Sequence, residues 1–197
     1  DQEDNWKSRP ASYFSHLLGH ESKGSLYYYL NEKHWVNDLS AGNMKVCQGN
    51  SIFVLELELT EKGLENWQSV IVHLFEYLKL ISNKDPQQWI WEEISNMSKV
   101  NFKFTQKKGA SSTVSRQSSI LYKFTEDSHV PPNYLLNSTI TREFDPVAIK
   151  EYGSYFNPDN IRIIISSQKL ENLTLTEKWY GTEHLNEPIH QTFLSQL

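Results

Sequence analysis

Residues 51–60, SIFVLELELT, alternate strictly, with Phe53, Leu55, Leu57 and Leu59 on one side and Val54, Glu56 and Glu58 on the other. A period of two predicts a strand with one buried face. The segment 35–47 leads toward it as a hairpin, with turn signals at Gly42-Asn43 and Gly49-Asn50. The period then changes to 3.6, because Trp67, Val70, Ile71, Leu74, Phe75, Leu78 and Ile81 form one helical stripe, with Thr60 as its cap. Upstream, residues 1–11 are polar and read as extended, ending at Pro10. Tyr13, Phe14, Leu17 and Leu18 then predict a helix from Ser12, its cap, to His20. Gly24-Ser25 restarts a helix that runs through Leu30 to Lys33.

The second half is less periodic. Asp85-Pro86 predicts a helix start, and that helix carries Trp89, Ile90, Ile94 and Met97. The small polar stretch 106–119 predicts a loop running into a helix over 113–124, broken by Val130-Pro131-Pro132. Asp145-Pro146 starts another helix near 145–152, IRIIIS at 161–166 reads as a buried strand, and the tail after 169 reads as loop with Trp179-Tyr180 docked. Together these patterns predict one α+β domain over residues 1–197, a mainly antiparallel sheet with helices packed on one face.

Composition narrows the function classes. The chain has 197 residues, 38% hydrophobic and 22% charged, which is globular rather than disordered. A net charge of −5 without a basic cluster argues against a nucleic-acid partner, since Lys107-Lys108 is only a pair. No run is apolar enough to span a membrane. The single cysteine, Cys47, leaves no internal disulfide and fits an intracellular, cytoplasmic setting.

The chemistry-bearing segment is His16-Leu17-Leu18-Gly19-His20. In the H-x-x-E-H motif of zinc peptidases, two histidines on one helix face bind the metal and the glutamate activates water. The histidine spacing is kept here, but Gly19 stands where the base belongs and cannot take a proton. We therefore assign no catalytic and no metal-binding residue to the chain. The histidines are read as bonding to backbone or to a peptide. Glu92-Glu93 are adjacent on a helix and do not face one another, so they read as a solvated face. Ser112–Ser119 offers no nucleophile elbow, and neither a P-loop nor a GxGxxG motif occurs.

The run YFSHLLGHESKGSLYYYLNEKHWVNDLSAG at 13–42, followed in order by LELELTEKGLENW, PQQWIWEE and KWYGT, resembles the second domain of the insulin-degrading-enzyme branch of the M16 metallopeptidases. That resemblance implies a catalytically inactive repeat within a longer multidomain protease, whose zinc ion sits in a separate catalytic domain. In the zinc-bearing repeat a glutamate roughly 75 residues after the motif completes the ligands. Here Glu92 and Glu93 fall early for that place and Met97 falls near it. The resemblance also implies that a first strand is missing, leaving an open sheet edge through which the chain can self-associate. It further implies an anchoring site for a peptide's N-terminus, formed by His16, Gly19 and Glu21 with Leu39, Ser40 and Ala41. Ser22 and Ser15 depart from the glycines usual in the family. Peptide substrates and the other M16 domains of the same protein are the partners it implies. The serine-rich stretch 94–115 is similar to that of yeast enzymes that mature a mating-pheromone precursor, a group that includes a protein linked to axial bud-site selection. The alternative reading is a structural or protein-interaction module without peptide binding.

Overall fold

The computed structural model describes residues 5–47, 49–121 and 134–197. Helices α1 (Pro10–Leu18) and α2 (Leu26–Glu32) precede a long antiparallel hairpin, β1 (Val36–Cys47) and β2 (Asn50–Leu59). Helices α3 (Glu61–Glu65), α4 (Trp67–Ser82), α5 (Gln88–Lys103), α6 (Ala110–Leu121), α7 (Tyr134–Asn137) and α8 (Pro146–Ser154) follow. A 3₁₀ turn, a two-residue hairpin of β3 (Leu175–Thr176) and β4 (Glu183–His184), and α9 (Gln191–Leu194) close the chain. The α+β class expected from the pattern holds.

In the long hairpin Leu39 faces Leu57, Ala41 faces Leu55 and Asn43 faces Phe53. The alternating side chains of β2 thus meet the core, where Phe53, Leu55, Leu57 and Leu59 pack against the buried cluster. Its centre is aromatic: Phe14 of α1 lies 4.9 Å from Phe156 and 5.8 Å from Tyr152, and Phe53 lies 5.0 Å from Phe156. Val70, Leu74, Phe75 and Leu78 of α4 close the other side, as their 3.6 spacing predicts.

Local signals explain most element ends. Ser25 accepts from the Tyr28 N–H, Thr60 from the Gly63 N–H, and Asp145 from the N–H groups of Val147 and Ala148. Four expectations are corrected. Ser12 lies inside α1, not at its cap: the helix begins at Pro10, whose missing N–H is no loss at the first position. Gly42-Asn43 is mid-strand, because the ladder continues past it, and the turn falls at Gly49 with φ 77°. Asp85-Pro86 precedes α5 without capping it. The helix starts after Gln87, whose N–H donates to the Tyr13 hydroxyl at 2.9 Å. The stripe after Thr60 is split at Asn66 into α3 and α4.

Two further expectations fail for want of partners. Residues 161–166 alternate between half-buried and exposed like a strand, yet pair with no strand among the described residues, and Ile164 is 79% exposed. A β-branched run favours extended backbone, but a ladder needs a neighbour. Trp179 and Tyr180 are not docked: they are 79% and 93% exposed at the tip of the small hairpin. There the Glu177 carboxylate accepts both of their N–H groups. On α5, Ile90 is buried whereas Trp89 and Met97 face outward. The expected break at 130–132 and the end of the helix over 113–124 lie outside the described residues.

Candidate functional site

His16 occupies the last turn of α1, and its apolar neighbours Phe14 and Leu18 turn that helix toward the core. Helix α5 runs alongside, and His16 Nε2 lies 3.8 Å from Glu93 Oε2. The His16 side chain is 19% exposed. Burial lowers its pKa from the usual value; Glu93 opposes that shift and His20 adds to it. The imidazole is therefore neutral near pH 7.

The expectation of two histidines on one helix face needs correction. The helix stops at Leu18, capped by Gly19, and His20 lies beyond it. The rings still approach, with centroids 5.7 Å apart and planes perpendicular. His20 Nδ1 is engaged at 3.2 Å by the Ser22 N–H and at 3.0 Å by its hydroxyl. Among the described residues no group of three or more His, Cys, Asp or Glu side chains is arranged to hold a metal.

The six candidate residues divide between two elements. Gly19 has φ −82°, so no left-handed backbone demands glycine there, though a Cβ would sit 3.0 Å from the Ser15 carbonyl. In the same connection Gly24, with φ +95°, is the position that does require it. Glu21 is exposed in the link between α1 and α2. Leu39, Ser40 and Ala41 lie in β1, the strand against which α1 packs. Leu39 is 6% exposed, so it belongs to the core. Among the described residues β1 pairs on one edge only, with β2. Helix α2 covers the start of that strand, where Tyr27 and Asn31 donate to the carbonyls of Asn37 and Val36. The arrangement offers an exposed carboxylate and a strand edge, with Gly19 at the position between the two histidines.

Sequence reasoning misplaced one neighbour and missed another. Glu93, not the position of Met97, faces His16, although Met97 lines the same slot beside it. Arg9 was not singled out, yet its guanidinium enters that slot. Neither leaves a short-range signal, because both depend on how α1 and α5 cross.

Comparison with known proteins agrees with this geometry. Residues 1–98 match the family model described as the peptidase M16 inactive domain, and residues 102–197 match the middle or third domain of peptidase M16. The chain is 38% identical over 184 residues to the A-factor-processing enzyme of Saccharomyces cerevisiae, covering 93% of this chain and 17% of that protein. It is 34% identical over 185 residues to human insulin-degrading enzyme, covering 93% of this chain and 18% of that protein. The chain thus spans less than a fifth of the length of these relatives. The crystal structure of pitrilysin shares the fold, with a TM-score of 0.86 at 24% identity over 98% of this chain and 20% of that one.

Proposed function

The chain belongs to the M16 peptidase family, as a non-catalytic part of it, and from that premise we propose that it holds the N-terminal end of a peptide for a zinc-bearing domain elsewhere in the protein. The observations that carry this reading are the exposed Glu21 carboxylate just after α1 and the pairing of β1, against which α1 packs, on one edge only among the described residues. A carboxylate accepts strong hydrogen bonds from a peptide α-amino group, and an open strand edge takes an extended peptide as a further strand. His16, Gly19 and Glu21 then supply the end of the site, and Leu39, Ser40 and Ala41 its backbone rail. The domain lines the chamber where cleavage occurs. The functional setting we propose is the processing of a peptide factor, in line with the name of the yeast relative, an A-factor-processing enzyme.

We also propose that residues 1–197 work as one unit. The Ser95 hydroxyl donates to the Thr141 carbonyl at 3.0 Å in the core, so a buried bond ties the two matched stretches together.

A titration of the full chain with a peptide bearing a free N-terminus, and with its acetylated form, tests the anchoring. The free peptide is expected to bind at least about tenfold more tightly, and Glu21→Gln to abolish the difference. Equal binding of both peptides to the unaltered chain refutes the reading. The second reading, an interaction module, draws on the exposed Trp179-Tyr180 tip. It predicts that Trp179→Ala weakens association with other domains while peptide binding is unchanged.

A further inference from the structure

Ser12 and His16 share one face of α1, at the spacing that stacks side chains along a helix, and Arg9 precedes the helix as its N-cap residue. Facing them are Ile94, Met97, Ser98 and Asn101 of α5, with Thr139 and Thr141 closing the end, around a slot of about 210 Å³. The slot wall is more apolar than polar, with Ile94 and Met97 beside the hydroxyls and an amide, and among the described residues no carboxylate lines it. Glu93 approaches it through His16.

The charge in this slot is one-sided. The Arg9 guanidinium donates to the Thr139 carbonyl through Nη1 and forms no ion pair among the described residues. A guanidinium carries five N–H donors, so among the described residues most of its capacity is unused. Arg142 is a second cation close by. Its guanidinium stacks over the rings of Trp6 and Tyr134, at 5.2 and 5.5 Å, and donates only to the Ile140 and Asn137 oxygens. Burial depresses the pKa of Arg9, and Arg142 is depressed by burial and also by Arg9. Two partly desolvated like charges with no counter-charge among the described residues are costly, and an anion at Arg9 relieves that cost. The chain accepts strain to put Arg9 there, since it takes φ 49°, a left-handed conformation uncommon for a residue with a Cβ.

We propose that this slot is an oxyanion-binding site in which the Arg9 guanidinium holds a carboxylate or phosphate group, with the Ser12 hydroxyl and the Asn101 amide completing its shell. The fork of a guanidinium matches two oxygens of either group. The site is separate from the peptide-end reading, which uses Glu21 and β1, so either can fail alone.

Calorimetric titration of the full chain with sodium phosphate and, separately, with sodium acetate at fixed ionic strength tests the proposal. Saturable one-to-one binding is expected for at least one of them. Phosphate alone binding identifies a phosphate site, whereas acetate binding identifies a carboxylate site. Arg9→Gln should weaken the binding at least about tenfold, while Lys108→Gln leaves it unchanged. Because Arg9 also braces the Thr139 carbonyl, a second variant, Asn101→Trp, keeps Arg9 and fills the slot from the opposite helix, with the same loss expected. Binding of neither ion, or undiminished binding in Asn101→Trp or in a folded Arg9→Gln, overturns it.

Discussion

His16 of α1 and Glu93 of α5 meet at 3.8 Å across the helix crossing, where Glu93 pulls the imidazole pKa upward against burial. Glu93→Gln should therefore move the His16 titration further below its ordinary value, read from the imidazole resonances in an NMR pH series. The sign for stability follows. A histidine depressed in the folded state contributes stability that is present above its unfolded pKa and lost as pH falls through the depressed value. Glu93→Gln should thus enlarge the loss of thermal stability on acidification below about pH 6.5. An unchanged His16 midpoint in the variant would show that the contact carries no electrostatic weight.

Gly63 admits no side chain. A Cβ there would lie 1.9 Å from the Trp35 carbonyl oxygen, a backbone atom that cannot swing aside. The Trp35 carbonyl is also the acceptor for the Thr60 N–H at 3.0 Å, so moving it disturbs the hairpin exit. Gly63→Ala should cost about 1–3 kcal/mol, measured by urea unfolding. Gly42→Ala, in the middle of β1 with open space around it, should cost less than about 0.5 kcal/mol by the same measurement. Equal costs would mean that the approach at Gly63 relaxes freely.

These positions also mark how far the sequence could be read. The hairpin and α4 were legible from their periods, and α2 and α8 from their start signals, where Ser25 and Asp145 bond the N–H groups that their residue types predict. The failures share a different cause. Ile161–Ser166 has the composition of a buried strand, but burial and pairing are properties of neighbours, which composition does not encode. Gly42-Asn43 carries a turn signal that the register of the longer ladder overrides. The site was half legible for the same reason. The motif at 16–20 stands out by spacing, whereas its contact with Glu93 and the entry of Arg9 into the slot come from the packing of two helices far apart in sequence.

Tyr152 sets an alkaline limit. Burial pushes its hydroxyl up to about 12, and that hydroxyl donates to Asn43 Oδ1 at 3.2 Å. The folded state keeps the proton that the unfolded chain releases above about pH 10, so its contribution is complete below pH 10 and lost as pH rises toward 12. Tyr152→Phe should cost about 1 kcal/mol at pH 7 for the lost hydrogen bond, yet flatten the decline in melting temperature above pH 10. A decline as steep as that of the unaltered chain would assign the alkaline limit to Tyr13 and Tyr77, whose hydroxyls burial also raises.

Thr141 is gripped twice from α5. Its carbonyl accepts from the Ser95 hydroxyl at 3.0 Å, and its N–H donates to Ser98 Oγ at 3.3 Å, while Ser98 itself donates to the Ser95 carbonyl. Ser95 and Thr141 are 1% and 2% exposed, so water cannot replace a lost partner. Ser95→Ala leaves the carbonyl unsatisfied and should cost about 1–3 kcal/mol, with Ser98→Ala costing less because its hydroxyl is nearer the surface. The clamp joins α5 to the segment before α8, so it also bears on cooperativity. If the two matched stretches fold as one unit, the unaltered chain melts in a single transition by circular dichroism and by tryptophan fluorescence alike. Ser95→Ala should lower that transition without splitting it. Two separated transitions in the unaltered chain would mean that residues 1–98 and 102–197 are stable independently, and that the buried bond between them is a contact rather than a tie.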